Sequence, residues 1–381
     1  MKIVHLCLSC FYIDDRAYQE NELVKEHVKQ GHEVIVVAST LVHDESGRHS
    51  FLSPGRYKST DGADVIRLEY HPLMPRALVK SLRLHRGVFQ ILEEFCPDVI
   101  MFHGMCGWEI VTASRYKKEN PSVKLYVDNH TDFINSARGF YSKWGLHYLY
   151  YRPVLRACLP YIEKVLCISK MTWVFAEKFY GVPSDKLEFY PLGGHPVCKE
   201  DYTYQRENVR KEYGLSDDDV VFVQSGKQSA SKKLISTLRA FNAVPNENFK
   251  LIVVGSILDD IEQEALSLIK ANPRVNFVGW KAPKELESIL CAADVYLQPG
   301  SQSSTMQTSI CCRCVTVLEN IDGHEMYTNG NGWLVQSESE LKSVFDKIDS
   351  GGVDLLAMQE KSKIFAEEVL DYSVLANRVL N

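Results

Sequence analysis

The stretch Val220-Val-Phe-Val-Gln224, followed by Ser225-Gly-Lys-Gln-Ser-Ala-Ser-Lys-Lys233, shows most clearly the pattern that indicates the fold class. A short β-branched run predicts a buried strand, and the small polar residues after it predict a turn that leads into a helix. Similar strands, separated by segments of helical length, are expected at 250–255, 274–279, 294–298 and 315–318. This alternation predicts βαβ units and a parallel, doubly wound sheet.

The first half of the chain repeats this pattern. Strands are predicted at 2–8, 33–38, 65–69, 98–103, 124–128 and 164–169. At 381 residues the chain exceeds the size at which one hydrophobic core keeps growing, so two domains are expected. The predicted fold class is α/β, with two facing Rossmann-like, doubly wound domains and a cleft between them.

The boundary between the domains is predicted from turn residues and polarity. Pro191-Leu-Gly-Gly-His-Pro196 is rich in turn formers, and the charged stretch 199–211 after it is typical of an interdomain connection. We therefore expect an N-terminal domain at 1–198 and a C-terminal domain at 199–361. A terminal helix at about 362–381 is expected to pack back on the first of these.

Composition excludes several classes of protein. With 45% hydrophobic and 24% charged residues the chain is globular, and its net charge of -6 argues against a general nucleic-acid binder. Residues 1–8 are too few and too soon polar for a signal peptide or a membrane span, so a cytoplasmic location is expected. Cys311, Cys312 and Cys314 have no second ligand pair at metal spacing, so we expect neither a disulfide framework nor a metal.

Two loops in the second half have phosphate-binding character. The lysine loop (225–233) offers small residues such as Gly226 for close approach, and Lys227 and Lys232 for positive charge. It lacks the Gly-Lys-Ser/Thr order of a P-loop kinase. The hydroxyl loop (298–307) offers further donors at a helix start: Ser303, Ser304 and Thr305 for phosphate oxygens and Gln307 for a ribose. The alternatives are a solvated lysine run and ordinary helix capping.

In the first half, polar residues again follow predicted strands, where parallel sheets bind their ligands. His130 and Asp132, at the end of Tyr126-Val-Asp-Asn-His-Thr-Asp132, are candidate catalytic residues because His and Asp together can orient or polarise a hydroxyl. The alternative is a loop histidine with satisfied hydrogen bonds.

The loop after the first strand lacks the Gly-x-Gly-x-x-Gly of a dinucleotide site, which argues against NAD. Tyr18, Glu20 and Asn21, at the next helix start, are candidates for contact with a polar substrate, with helix capping and solvation as the alternative.

A basic helix face is also predicted in the first half. Arg76, Lys80, Arg83 and Arg86 recur at three and four residues with no acid between them. Such a face suits an anionic membrane surface or the phosphate of an acceptor, with a merely solvated face as the alternative.

Taken in order, these motifs resemble the GT-B-fold, retaining glycosyltransferases of family 4, which build bacterial surface polysaccharides. The resemblance covers nearly the whole chain. It is carried by the segments 18–21, 30–34, 127–132, 191–194, 226–232, 277–280 and 294–307.

The resemblance implies roles for individual residues. Lys227 and Lys232 would bind the donor diphosphate, His130 would contact the donor sugar, and the strand end at Trp280 would contact the nucleotide base. Gly323-His-Glu325, with Gly330 and Gly332, would match the family's closing turns. Members of the family need no metal, because basic side chains and helix dipoles neutralise the leaving diphosphate.

One departure from the family is plain. The family's two glutamates, seven residues apart, are absent, and Pro299 and Gln307 take their places when Cys314 is aligned with the usual proline. Gln307 keeps the ability to hydrogen-bond a ribose hydroxyl. The amides of residues 303–305 are the candidates to replace the first glutamate.

The sequence therefore predicts a metal-independent transferase. It would move a sugar from a nucleoside diphosphate, UDP by preference, to a glycan or lipid-linked glycan acceptor with retention of configuration. The alternatives are a nucleotide-sugar epimerase of the same fold and a catalytically silent sugar-binding protein, the latter because the glutamates are missing.

Overall fold

The structure is a computed structural model that describes residues 1–43, 48–72 and 75–380, without the side chains of residues 76 and 77. The chain forms two compact units. The first contains Met1–Leu192 together with the C-terminal segment from Tyr372, and the second contains Gly193–Asp371.

A doubly wound sheet of eight strands forms the first unit. Its order is β10-β9-β8-β7-β1-β2-β6-β5, parallel throughout except that the edge strand β5 runs antiparallel to β6. A separate antiparallel pair is formed by β3 and β4. The strands are β1 (Lys2–Cys7), β2 (Glu33–Ser39), β3 (Leu41–His43), β4 (His49–Phe51), β5 (Gly55–Lys58), β6 (Asp64–Leu68), β7 (Val99–Phe102), β8 (Lys124–Asn129), β9 (Val165–Cys167) and β10 (Leu187–Phe189).

A six-stranded, all-parallel sheet forms the second unit. Its order is β13-β12-β11-β14-β15-β16, so the chain starts at the centre, winds to one edge and then crosses to the other. Ligands of such sheets bind beyond the strand ends where the order reverses, here between β11 and β14. The strands are β11 (Val220–Ser225), β12 (Phe249–Val254), β13 (Val275–Gly279), β14 (Val295–Gln298), β15 (Val315–Glu319) and β16 (Gly332–Val335).

Helices cover both faces of the two sheets. They are α1 (Gln19–Lys29), α2 (Arg76–Leu82), α3 (Val88–Phe95), α4 (Glu109–Glu119), α5 (Arg152–Cys158), α6 (Lys170–Val174), α7 (Lys199–Glu212), α8 (Leu234–Asn242), α9 (Glu262–Lys270), α10 (Pro283–Ala292), α11 (Thr305–Cys311), α12 (Glu338–Asp349), α13 (Leu355–Phe365) and α14 (Tyr372–Arg378). Wider, π-type turns form the stretches Tyr141–Tyr151, Phe175–Tyr180 and Ala366–Leu370.

The charged stretch 199–211 was expected to connect the domains, but it is helix α7 of the second unit. Its arginines explain the difference, because Arg206 and Arg210 both bind Asp294, at 2.6 and 2.8 Å. Asp294 also accepts a hydrogen bond from the backbone N–H of Val221. The charges of α7 are therefore used inside the unit, where they hold this helix to the end of α10 and to Asp294, the residue before β14.

The C-terminal segment is divided between the units. Helix α13 lies in the second unit, whereas α14 lies in the first and packs on α1. Tyr372, Leu375 and Ala376 of α14 are buried in the core on the same side of the sheet as Ile3 and Cys7. The segment that returns to the first unit thus begins at Tyr372, later than the expected 362.

Candidate functional site

The lysine loop and the hydroxyl loop of the second unit lie in direct contact. They follow β11 and β14, the neighbouring strands at which the strand order reverses. The backbone N–H of Ser301 donates to the carbonyl of Ser231 at 2.9 Å. The ammonium of Lys232 donates to the carbonyls of Ser301 and Gln302, at 2.6 and 3.1 Å. The two loops thus form one continuous rim with a lysine at its centre.

One glycine makes this contact possible, and a second allows the turn of the lysine loop. A Cβ on Gly300 would lie 2.2 Å from the carbonyl oxygen of Ser231, so only glycine lets the two backbones meet there. Gly226 has a φ of +120°, which other residues rarely adopt, and a Cβ there would have the side chain of Lys232 as its neighbour at 4.0 Å. Gly226 and Gly300 are therefore needed for the conformation of the loops themselves, apart from any approach of a ligand.

Positive charge at this rim comes from two lysine side chains. Lys227 is exposed, whereas Lys232 is half-buried, and burial lowers the pKa of its ammonium. Several loop amides are already engaged, since those of Gly226 and Gln228 bond to backbone carbonyls and that of Ala230 to the carboxylate of Asp260. The lysine side chains, rather than the loop amides, are thus the main donors that an anion would meet.

The hydroxyl residues form a local network. Ser303 Oγ accepts from the backbone N–H of Thr305 at 3.3 Å and lies 3.2 Å from the Thr305 hydroxyl. Ser304 is exposed and makes no capping hydrogen bond with its side chain at the start of α11. This network keeps the hydroxyls of residues 303 and 305 together at the loop surface.

The other two residues predicted for the donor are Gln307, the last residue of the hydroxyl loop, and Trp280. Gln307 is buried on α11 and hydrogen-bonds the phenol of Tyr327. Trp280, just after β13, is 70% exposed. Cys311, Cys312 and Cys314 are free, buried thiols. Burial raises the pKa of Cys311 and, together with the neighbouring thiol of Cys291, the pKa of Cys314, whereas the pKa of Cys312 is raised first by the thiol of Cys291 and then by burial.

In the first unit, His130 lies beside a buried carboxylate that was not among the predicted site residues. Its Nε2 is 3.6 Å from Oδ2 of Asp128, the fifth residue of β8. Burial disfavours the charged form of His130, but the Asp128 carboxylate outweighs this and raises the pKa of the imidazole. Asp128, rather than Asp132, is therefore the acid that holds this histidine.

Asp132 has a different task. Its Oδ1 accepts hydrogen bonds from the backbone N–H groups of Ile134 and Asn135, both at 2.7 Å. Asn135 in turn donates from its side chain to the carbonyl of His130. Asp132 thus closes the turn that follows His130 and fixes the backbone on which the histidine sits.

Of the three residues predicted at the start of α1, only one turns toward this site. Glu20 is buried, which raises the pKa of its carboxyl, while the charges of His103 and His130 partly oppose that shift. Asn21 donates to the carbonyl of Ile13 and so pins the loop between β1 and α1. Tyr18 precedes the helix and is 45% exposed.

Asp128 is itself held by residues that the sequence reasoning missed. Its Oδ2 lies 2.5 Å from Nδ1 of His103, and its Oδ1 accepts from the backbone N–H of Gly104 at 2.6 Å. These contacts, with the charges of His103 and His130, overcome the penalty of burial and hold the pKa of Asp128 far below its usual range. A sequence signal existed, since a His and an Asp end two neighbouring strands.

The expected basic helix face does not form. Helix α2 ends at Leu82, and Arg83 takes a left-handed conformation with a φ of +55°. Its guanidinium turns inward, donating to the carbonyls of Ser9 and Cys106. Arg86 lies beyond the helix, and the side chain of Arg76 lies outside the described residues. The prediction of one face was wrong, because the left-handed turn breaks the helical spacing on which it relied.

The described part of the chain contains neither a helix that could span a membrane nor a cluster of metal-binding side chains. In it, no helix is both long and apolar enough to cross a membrane. Likewise, none of the described residues form a group of three or more His, Cys, Asp or Glu side chains able to hold a metal ion.

Two family models match the chain. Glycosyltransferase Family 4 matches residues 21–193, and Glycosyl transferases group 1 matches residues 217–350. Among curated proteins, none matches this chain in sequence.

Solved structures match over almost the full length. HepE from Anabaena, in complex with UDP, is 14% identical with a TM-score of 0.64, over 100% of this chain and 98% of that one. Sucrose-phosphate synthase from Thermosynechococcus elongatus is 15% identical with a TM-score of 0.58, over 99% and 97%. WaaG, a glycosyltransferase involved in lipopolysaccharide biosynthesis, is 16% identical with a TM-score of 0.57, over 99% and 98%. At these identities the likeness is one of fold.

Proposed function

The chain belongs to the GT-B-fold glycosyltransferases, and on that premise we propose that it transfers a sugar from a nucleoside diphosphate, with UDP as the expected nucleotide. The acceptor is a glycan or a lipid-linked glycan, the configuration at the transferred carbon is retained, and the product enters surface polysaccharide. The observation that carries the proposal is the contact of the lysine loop with the hydroxyl loop around Lys232.

The donor diphosphate binds at this rim. An ammonium has three N–H groups, and Lys232 uses two of them on the carbonyls of Ser301 and Gln302. The third is left for a phosphate oxygen. Exposed Lys227, on the same loop, supplies a second charge, and the hydroxyls of Ser303 and Thr305 supply neutral donors. HepE, which shares the fold, was solved with UDP and with UDP-glucose.

The two lysines neutralise the leaving diphosphate without a metal. Charge that develops on the departing phosphate oxygens is stabilised by donors that are already in place, which is the usual source of catalysis in such sites. Turnover should therefore be unaffected when a chelator of divalent cations is added.

His130 acts on the donor sugar. The neighbouring carboxylate of Asp128 favours its protonated, hydrogen-donating form, and the turn closed by Asp132 fixes its position. We expect His130→Ala to lower the turnover number by about 10- to 150-fold, the contribution of one hydrogen bond to a charged group. His43→Ala, which removes a histidine from β3, is the control, and an equal loss in both variants would contradict the role of His130.

Contact with a membrane, which a lipid-linked acceptor requires, comes from a surface other than the predicted one. We define the aromatic segment as residues 140–149. In it Phe140, Tyr141 and Leu149 are 74%, 88% and 70% exposed, and Trp144 and Tyr148 are partly so. From 133 to 162 the sequence has no Asp or Glu but four cations: Arg138, Lys143, Arg152 and Arg156. Exposed aromatic rings among cations suit the interface of an anionic bilayer. The enzyme would thus work on the cytoplasmic side, peripherally bound.

A panel of nucleoside diphosphates and nucleotide sugars, read by thermal shift, tests the proposal first. We expect one nucleotide to raise the melting temperature together with its sugar-linked form. The donor found in this way is then incubated with and without glycan acceptors, and the anomeric configuration of the product is read by NMR. Conversion of the donor without an acceptor would instead support the epimerase, and binding without transfer or hydrolysis would support the silent sugar-binding protein.

A further inference from the structure

A chain of three buried histidines runs from Asp128 across the first unit. After the contact of Asp128 with His103, Nε2 of His103 lies 2.9 Å from Nδ1 of His5. Nε2 of His5 lies 3.0 Å from Nδ1 of His27, and Nε2 of His27 lies 3.0 Å from the carbonyl oxygen of Ala376. The imidazoles of β1, α1 and the end of β7 are thus joined to α14 through hydrogen bonds, and all three are at most 1% exposed.

The two ends of this chain are both acceptors. The backbone carbonyl of Ala376 can only accept, so Nε2 of His27 carries a hydrogen. A neutral His27 then accepts at Nδ1, which obliges Nε2 of His5 to donate. By the same step, Nε2 of His103 donates to Nδ1 of His5. The carbonyl therefore sets the tautomer of every histidine up to Asp128.

The hydrogen bonds of this chain require one hydrogen more than neutral imidazoles supply. The four hydrogen bonds from Asp128 to Ala376 need four hydrogens, whereas three neutral imidazoles supply three. Without a fourth, a lone pair of His103 would face the carboxylate of Asp128. We infer that one additional proton is held between Asp128 and His103, and that His5 and His27 are positioning residues that keep it there.

The charges around the chain agree with this assignment. Burial lowers the pKa of His27 to about 4 and that of His5 well below its usual value, so both are neutral. Burial also opposes charge on His103, but Asp128, Cys7 and Glu20 face it and raise its pKa to about 10. His32 is the titratable neighbour of His27 and further disfavours a charge there. The additional proton thus resides at the Asp128 end.

The held proton matters for His130, which faces the same carboxylate. The groups that act on His130 are Asp128 on its own strand, Glu20 on α1 and His103 after β7. A positive His103 compensates part of the negative charge that His130 meets. The three buried histidines therefore help to set the pKa of His130. The importance of this effect for turnover rests on the proposed function.

The tautomers can be read directly in the wild-type protein. Long-range ¹H–¹⁵N NMR of histidine-labelled protein, assigned through single His→Gln variants, distinguishes Nδ1–H from Nε2–H. We expect His5 and His27 to be neutral Nε2–H tautomers and His103 to carry hydrogens on both nitrogens at pH 7. A hydrogen on Nδ1 of His5, or a neutral His103 paired with an ionised Asp128, would overturn the inference whether or not any variant folds.

A pair of substitutions tests the coupling to His130. In His27→Leu, Nε2 of His5 has no acceptor, so the hydrogen of His5 can move to Nδ1. His5 then donates to His103 and His103 donates to Asp128, so these hydrogen bonds form without the additional proton. His130 then meets an uncompensated carboxylate, and its pKa should rise by about 1 unit or more. His27→Gln keeps one donor and one acceptor and should leave that pKa within about 0.3 unit of the wild type, a margin small beside the shifts of about 1–3 units that a nearby charge causes.

The readouts separate this inference from the proposed function. The pKa of His130 is measured by NMR without any substrate, so equal values in His27→Leu and His27→Gln would sink the coupling. The pH profile of turnover should shift in the same direction in His27→Leu alone. If the pKa of His130 shifts and the pH profile of turnover does not, the coupling of the three histidines to His130 is supported, and the role of His130 in sugar transfer is contradicted.

Discussion

Replacing Lys232 by methionine removes the central charge of the nucleotide rim and keeps most of the side-chain volume. One N–H of the ammonium remains for a phosphate oxygen after those given to Ser301 and Gln302. A hydrogen bond to a charged group contributes about 1.5–3 kcal/mol. At 1.4 kcal/mol per factor of ten, we expect the dissociation constant of the nucleoside diphosphate to rise about 10- to 150-fold.

Lys233 offers a matched control one residue away. Its ammonium pairs with Glu319 at 2.7 Å and donates to the carbonyl of Gln336. Lys233→Met removes the same formal charge, but that charge is already neutralised by Glu319, so the dissociation constant of the nucleotide should change less than about threefold. Titration calorimetry with UDP, at low and physiological salt, measures both. Equal losses of affinity in the two variants would mean that the lysines act only through general electrostatic attraction. An unchanged affinity in Lys232→Met would refute a direct contact of Lys232 with the diphosphate.

Three further predictions concern stability and the membrane. Asp294→Ala leaves Arg206 and Arg210 without their carboxylate and should destabilise the second unit by about 3–5 kcal/mol, against less than about 1 kcal/mol for the exposed Asp346→Ala control, as denaturant unfolding would show. Burial lowers the pKa values of His27, His85 and His147 to about 4, so below pH 6.5 these side chains bind protons in the unfolded first unit but not in the folded one. The melting temperature of the first unit should therefore fall by several degrees between pH 6.5 and 5. A melting temperature that calorimetry finds unchanged over this range would contradict this. Tyr141→Ser combined with Leu149→Ser should reduce sedimentation with anionic vesicles several-fold, whereas Tyr204→Ser, which removes an exposed tyrosine of α7, should not; unchanged sedimentation of the double variant would contradict a role of the aromatic segment in membrane binding.

At higher pH the sign of the pH effect reverses. The pKa of His103 is about 10 in the folded chain and about 6.5 in an unfolded one. Its contribution to stability is fully present below pH 6.5 and is lost as the pH rises toward 10. The stability of the first unit should therefore be greatest near neutral pH.

The sequence predicted the strands best, because buried parallel strands are continuous β-branched runs. All eleven predicted strands occur, including Val220–Ser225 and Val295–Gln298, within two residues of their expected bounds. Short strands such as Leu187–Phe189 were missed, since three residues give no periodic pattern. The charged helix Lys199–Glu212 was mistaken for a connection because its partner, Asp294, is distant in sequence.

The candidate site was predictable only where its residues follow strands. The contact of the lysine and hydroxyl loops follows from the strand order, which the alternation of strands and helices suggests. The partners of His130 were harder to find, since His5 sits within an apolar strand and His27 on the buried side of α1. In the sequence, both positions have the pattern of ordinary core positions. Their hydrogen-bonded path to His103 depends on the register of β1 beside β7, which the sequence does not reveal.

A crystal structure with UDP bound would show whether the diphosphate contacts the two loops. We predict that the diphosphate lies against the rim formed by the lysine and hydroxyl loops, with a phosphate oxygen within hydrogen-bonding distance of Nζ of Lys232. A nucleotide bound elsewhere, or with its diphosphate out of reach of both Lys227 and Lys232, would contradict the account.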